Sequence, residues 1–186
     1  DEIEKLQKRG DWQEISSIMC NAAEKLEKIG ADMVLIGANM LHKVADDVED
    51  DINVPLIRIT DSVAVEVKKQ GLKKVGLLGT KYTMEHSFYK DRINEIYDID
   101  IISPIEGRDV TAINRIIFEE LAKGKIEKDS KKRILDIIDK LKEDGAEGII
   151  MGCTEIPMLL KQTDTNIPLF DTLLIHVKKA VEFAIS

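Results

Sequence analysis

Gly145-Ala146-Glu147-Gly148-Ile149-Ile150-Met151-Gly152-Cys153-Thr154 is the stretch that decides the fold. It runs from a helix-ending glycine, through an acidic residue and a short apolar run, to a glycine followed by a cysteine. Strands buried on both faces read this way. The same phrase occurs earlier without gaps, as Gly30-Ala31-Asp32-Met33-Val34-Leu35-Ile36-Gly37-Ala38-Asn39. Each copy has a downstream echo. Asn53-Val54-Pro55-Leu56 is matched by Asn166-Ile167-Pro168-Leu169, and Asp61-Ser62 by Asp171-Thr172. One such match is common in α/β chains. Two in the same order, at nearly equal offsets, indicate an internal duplication. Ala38 and Cys153 are then equivalent positions, expected to face each other across a shared cleft.

Outward from these copies, helical and strand patterns alternate. Ile15, Ile18, Met19, Ala22, Leu26 and Ile29 recur at helical spacing before Gly30. Helix is expected over about 40–48 and 61–69, and through Met84, Phe88, Tyr89, Ile93 and Ile96. Two further helices carry Val110, Ile113, Ile117 and Leu121, and then Ile134, Ile137, Ile138 and Leu141. Short apolar runs predict strands at 33–36, 54–57, 73–78, 99–102, 148–151 and 167–170. A helix should start at Thr154, and a last one should run through Val177, Val181 and Ala184. This order predicts an α/β fold with parallel sheets flanked by helices. Ligands of such sheets bind at the carboxyl ends of the strands.

The 186 residues suit one ordinary domain or two small lobes. Hydrophobic residues make up 44% and charged residues 33%, the balance of a chain with a real core. A net charge of −8 argues against nucleic acid as a general partner. The basic run Lys128-Asp129-Ser130-Lys131-Lys132-Arg133 reads as a solvated helix face. No apolar run reaches membrane-spanning length. The start Asp-Glu-Ile-Glu carries no visible signal peptide. Two cysteines, Cys20 and Cys153, make neither a disulfide framework nor a zinc pattern, so a reducing, cytoplasmic setting is expected.

Cys153 follows a buried strand and Gly152, and precedes a helix. Thr154 or the cysteine itself can cap that helix, Glu155 suits its positive end, and Pro157 fits its first turn. A helix N-terminus lowers a thiol's pKa and binds anions. Spacing alone leaves two roles open for Cys153, a reactive thiolate or a small buried hydrophobe. Cys20, on an apolar helix face, reads as the latter.

Met151-Gly152-Cys153-Thr154-Glu155-Ile156-Pro157 resembles the second signature of the aspartate/glutamate racemases. Ala38-Asn39-Met40-Leu41-His42 is similar to the first signature, in which the family has Cys-Asn-Thr and a following His. Leu78-Gly79-Thr80 with Thr83 resembles the loop that holds substrate carboxylate, and Asp171-Thr172 with Ile175-His176 the C-terminal segment. The resemblance spans essentially the whole chain. It implies two pseudo-symmetric lobes with the active site in the cleft between them, residues 1–60 plus 171–186 forming one and 61–170 the other. It implies proton transfer at an amino-acid α-carbon by two cysteines, without pyridoxal phosphate or any other cofactor. Carried over, Cys153 is the acid/base cysteine, and Asn39, Thr80, Thr83 and Thr154 bind substrate carboxylate. Glu155, His42 and His176 are supporting candidates. The implied ligand is a small acidic amino acid or dicarboxylate, and the implied assembly a homodimer.

The pattern departs in three places. Ala38 stands where the other catalytic cysteine belongs and can neither take nor give a proton. Met40 replaces a threonine. Nothing matches the family's first strand and glycine-rich loop, which leaves two readings, a longer natural chain or a degenerate member of the family, the first being favoured. No metal site is expected around His42. Three readings follow: an amino-acid racemase or epimerase with slowed or one-sided chemistry, a single-cysteine decarboxylase or isomerase of small diacids, and a non-catalytic dicarboxylate-binding homologue.

Overall fold

The structure is a computed structural model describing residues 2–105 and 107–186; Asp1 and Glu106 lie outside the described residues. Helices α1 (Glu2–Arg9) and α2 (Trp12–Lys28) precede β1 (Val34–Leu35). A 3-10 turn (Met40–Val44) leads into α3 (Ala45–Asp51), followed by β2 (Leu56–Ile57) and α4 (Ile59–Lys69). Next come β3 (Lys74–Gly79), α5 (Lys81–Glu85), α6 (Phe88–Tyr97), β4 (Asp100–Ile102) and α7 (Arg108–Arg115). The chain ends with α8 (Lys128–Glu143), β5 (Gly148–Gly152), the single turn α9 (Ile156–Leu159), β6 (Leu169–Asp171) and α10 (Thr172–Ala184).

All strand pairs are parallel. β1 pairs with β2, and a second sheet has the order β4-β3-β5-β6. The central strands alternate between two cores, as a period of two requires. Leu78, Ile149 and Met151 pack with α7 and α8 through Val110, Ile113, Ile134 and Ile138. Val75, Leu77 and Ile150 pack with α4 and α6 through Val63, Val67, Tyr89 and Ile93. Each fully buried aliphatic side chain contributes about 2 kcal/mol. A third cluster joins α2, α3 and the small sheet, and contains Cys20 as a buried apolar residue.

The duplication is visible in the hydrogen bonding. Val34 opposes Leu56 and Leu35 opposes Ile57; at the matching positions Ile149 opposes Leu169 and Ile150 opposes Phe170. The Val34 N–H donates to the Pro55 carbonyl at 2.9 Å, and the Ile149 N–H to the Pro168 carbonyl at 2.8 Å. Gly30 and Gly145, which end the preceding helices, have φ of 92° and 94°, values that favour glycine. The echo at Asp61 is corrected. By strand register the counterpart of Asp171 is Arg58. Asp171 caps α10 by accepting the Leu174 N–H at 3.0 Å, whereas Asp61 forms a two-pronged pair with Arg92 at 2.7 Å.

Other differences from the sequence pattern have local causes. The helix expected over 84–96 is two helices, broken at His86 and Ser87. The helix through Ile113 and Leu121 loosens after Arg115 into a π-turn (Ile116–Glu120), then a 3-10 turn (Leu121–Lys123). Buried Glu120 closes this segment by accepting from Ser130 at 2.5 Å and pairing with Arg115 at 3.1 Å. The basic run opens α8 but is less solvated than expected. Arg133 and Lys140 pair with Asp109, and Lys131 pairs with Asp164.

Candidate active site

The ends of β3 and β5 lie side by side, with Gly79 opposite Gly152. Thr80 and Cys153 therefore leave the sheet as neighbours. Together with Ala38, Asn39, Thr83, Thr154 and Glu155 they line one cavity of about 410 Å3. Seven positions singled out in the sequence thus converge, and the duplicated pair Ala38 and Cys153 share a cavity wall.

Cys153 is 8% exposed. Its Sγ donates to a Glu155 carboxylate oxygen at 2.9 Å, and the Thr154 hydroxyl donates to the same oxygen at 2.9 Å. This corrects two expectations. Glu155, expected as a charge at the positive end of the helix, turns its carboxylate back onto the thiol. The thiol pKa is raised, not lowered: burial is the largest cause, followed by the hydrogen bond to Glu155 and its charge. The backbone N–H groups of Glu155 and Thr154 act in the expected downward direction and are outweighed. A one-turn helix offers little dipole to oppose desolvation. Cys153 rests as a proton-bearing thiol.

Thr80 caps α5, accepting the Thr83 N–H at 3.3 Å, and its hydroxyl lies 3.0 Å from that of buried Thr83. The pair forms a small polar patch beside Cys153. Asn39 is 4% exposed; its Nδ2 donates to the Thr172 hydroxyl at 3.0 Å, which in turn donates to the Met151 carbonyl at 2.9 Å. With the Thr172 proton directed at Met151, the Asn39 amide has one orientation, and its Oδ1 is left as a buried acceptor without a partner. An unpaired amide oxygen takes a hydrogen-bond donor and repels a carboxylate. Thr172 was named in the sequence only as part of a repeat and a resemblance; its role as the connecting hydroxyl is a finding of the structure.

His42 and His176 are not among the residues lining the cavity. His42 Nε2 accepts the Ile59 N–H at 2.9 Å, so Nδ1 carries the proton and donates to the Ala38 carbonyl at 2.9 Å. Burial lowers its pKa to about 4. His42 thus pins the Ala38 loop to the start of α4. His176 Nε2 donates to the Ile57 carbonyl at 2.6 Å, and burial lowers its pKa as well.

Other lining residues went unread in the sequence. Ile3, Glu4 and Gln7 come from α1, and Ile117, Phe118 and Ala122 from the π-turn and the turn after it. Nothing in α1 signalled this. The π-turn is invisible to a periodicity that fits an ordinary helix equally well, although such turns often sit at functional sites.

The chain resembles known proteins along its length. A structure of a candidate Asp/Glu racemase from Yersinia pestis is 45% identical with a TM-score of 0.93, covering 100% of this chain and 80% of that one. An aspartate racemase homologue from Pyrococcus horikoshii OT3 is 41% identical with a TM-score of 0.87, covering 97% and 79%. A broad specificity amino-acid racemase of Bacillus subtilis is 22% identical over 178 residues, 87% of this chain and 69% of that protein. The chain spans only about half the length of several glutamate racemases that it matches. The sequence profile of the Asp/Glu/Hydantoin racemase family matches residues 2–180, and the chain belongs to that family.

Proposed function

We propose that the protein is a cofactor-independent racemase or epimerase of a free amino acid, in which Cys153 moves the proton at the α-carbon. The supporting observation is Cys153 on the wall of a cavity ringed by hydroxyls, its thiol hydrogen-bonded to Glu155 at 2.9 Å. Thr80, Thr83 and Thr154 supply donors for the α-carboxylate, where charge builds as the carbanion forms. Asn39 Oδ1 receives the substrate amine. Cys153 first passes its proton to Glu155; the resulting thiolate then takes the α-proton, and the same thiol returns a proton to the carbon. From the other face Ala38 can return none. The consequence is proton exchange with retained configuration, and slow inversion at best. The site lies between two lobes, residues 1–60 with 171–186 and residues 61–170, in a homodimeric, cytoplasmic enzyme.

Ala38 also favours a second reading, a decarboxylase or isomerase of small diacids with one cysteine acting on one face.

The test is proton NMR in D₂O with a panel of free amino acids, beside a Cys153→Ala control. Loss of an α-proton signal only with Cys153 present supports α-carbon chemistry. Turnover of malonate or maleate compounds, with every amino acid inert, supports the second reading instead.

A further inference from the structure

We propose that Lys43 and Tyr82 are positioning residues, which hold the group that takes the substrate amine at a fixed distance from the hydroxyls that take its carboxylate. The proposal rests on the racemase reading and adds two residues to its machinery.

Each residue sits in a short helical segment next to a substrate-facing group. Asn39 stands directly before the 3-10 turn that carries Lys43, and Thr80 caps α5, which carries Tyr82. Lys43 Nζ donates to the Tyr82 hydroxyl at 2.6 Å. The bond spans 39 residues of sequence and crosses from the Ala38 side of the site to the Thr80 side. Lys43 is not among the residues that line the cavity, so it acts through the turn that follows Asn39 and not on substrate.

The ammonium is held by more than this one bond. It stands 4.6 Å over the Trp12 ring and 5.3 Å over that of Tyr82, placements in which a cation is drawn to an aromatic face. Trp12 and Tyr82 lie 4.9 Å apart, and His86 stacks on Tyr82 at 3.8 Å, so the ring that carries the hydroxyl is itself held by neighbours. Trp12 opens α2, which is anchored in the third core through Cys20 and Ala23. Among the described residues no carboxylate pairs with Lys43 to draw it away.

The turn needs such anchors, because a 3-10 segment has poorer hydrogen-bond geometry than an α-helix. His42 pins it to the Ile59 N–H at the start of α4, and Lys43, the next residue, pins it to α5.

The test measures Cys153-dependent α-proton exchange in D₂O against substrate concentration, with whichever free amino acid the parent exchanges fastest. Lys43→Met keeps the stem and loses the cation; Tyr82→Phe keeps the ring and loses the acceptor. Each should raise KM about three- to tenfold and leave kcat within about twofold, the pattern of lost binding. Lys43→Arg, which can still donate and stack, should stay within about twofold of the parent. Because the two residues act through one bond, the double variant should show no more than the larger single shift. An unchanged KM in either single variant, no rescue by arginine, or additive shifts overturn the proposal. If the parent exchanges no amino acid, the racemase reading fails, and amide hydrogen exchange decides the tie by itself. Faster exchange at both 39–44 and 80–85 in Lys43→Met upholds it; a rate equal to the parent's at either segment overturns it.

Discussion

Gly79 and Gly152 oppose each other where β3 and β5 end, so closely that a Cβ on Gly79 would lie 3.0 Å from the Gly152 carbonyl oxygen and 3.3 Å from Thr83 Cβ. The approach brings Thr80 and Cys153 into one cavity. Gly79→Ala must therefore push the two strand ends apart and is expected to lose about 1–3 kcal/mol of stability, with slower exchange. Gly37, the counterpart of Gly152, has nothing within 4 Å of such a Cβ. Gly37→Ala should lie within about 0.5 kcal/mol of the parent. Urea unfolding of both variants measures the contrast.

Glu155→Gln removes the carboxylate that holds the Cys153 proton. The thiol pKa should fall, yet stay above its ordinary value, because burial is the larger cause. Thiolate at a fixed pH below the pKa rises about tenfold for each pKa unit recovered. Alkylation of Cys153 as a function of pH, followed by peptide mass in a Cys20→Ser background, reads this directly. An unchanged profile would remove Glu155 from the proton path.

Ala38→Cys places a second thiol on the cavity wall that Cys153 shares. One-sided exchange should become racemisation, with inversion rising to within about tenfold of the exchange rate if the new thiol acts as the second acid or base. Chiral chromatography of the product measures it. Exchange that keeps its configuration would show that the two positions do not address opposite faces.

His42 must stay neutral to accept the Ile59 N–H. Its pKa is about 4 in the folded chain against about 6.5 when unfolded, so between these values the unfolded state binds more protons. Stability from this group is complete above pH 6.5 and declines as pH falls toward 4, by roughly 3 kcal/mol in total. His176 shifts in the same direction. His42→Gln should be less stable at pH 7, with a shallower decline in acid. Parallel slopes in urea titrations would exclude His42 as the source.

The strands and the duplication were legible because they rest on burial and glycine conformation, which leave marks on neighbouring residues. Val34 and Ile149 sit in identical registers, as the two apolar runs implied. Glu155 was legible as a supporting residue but not in its role, because only the side-chain direction separates a helix-end charge from a bond to the thiol. The π-turn escaped notice because Ile113, Ile117 and Leu121 keep apolar spacing through it. The contribution of α1 depends on where a helix with no buried residue comes to rest, which no pattern encodes.

The bonds from Asn39 to Thr172 to Met151 join segments 133 and 21 residues apart in sequence. They act as a caliper. Ala38 adjoins one jaw, Gly152 and Cys153 follow the other, and a single hydroxyl sets the gap. The opening between the two halves of the site is thus gauged by a group that need not touch the reacting atoms, and a distant strain on α10 would register as a change in the spacing of the site.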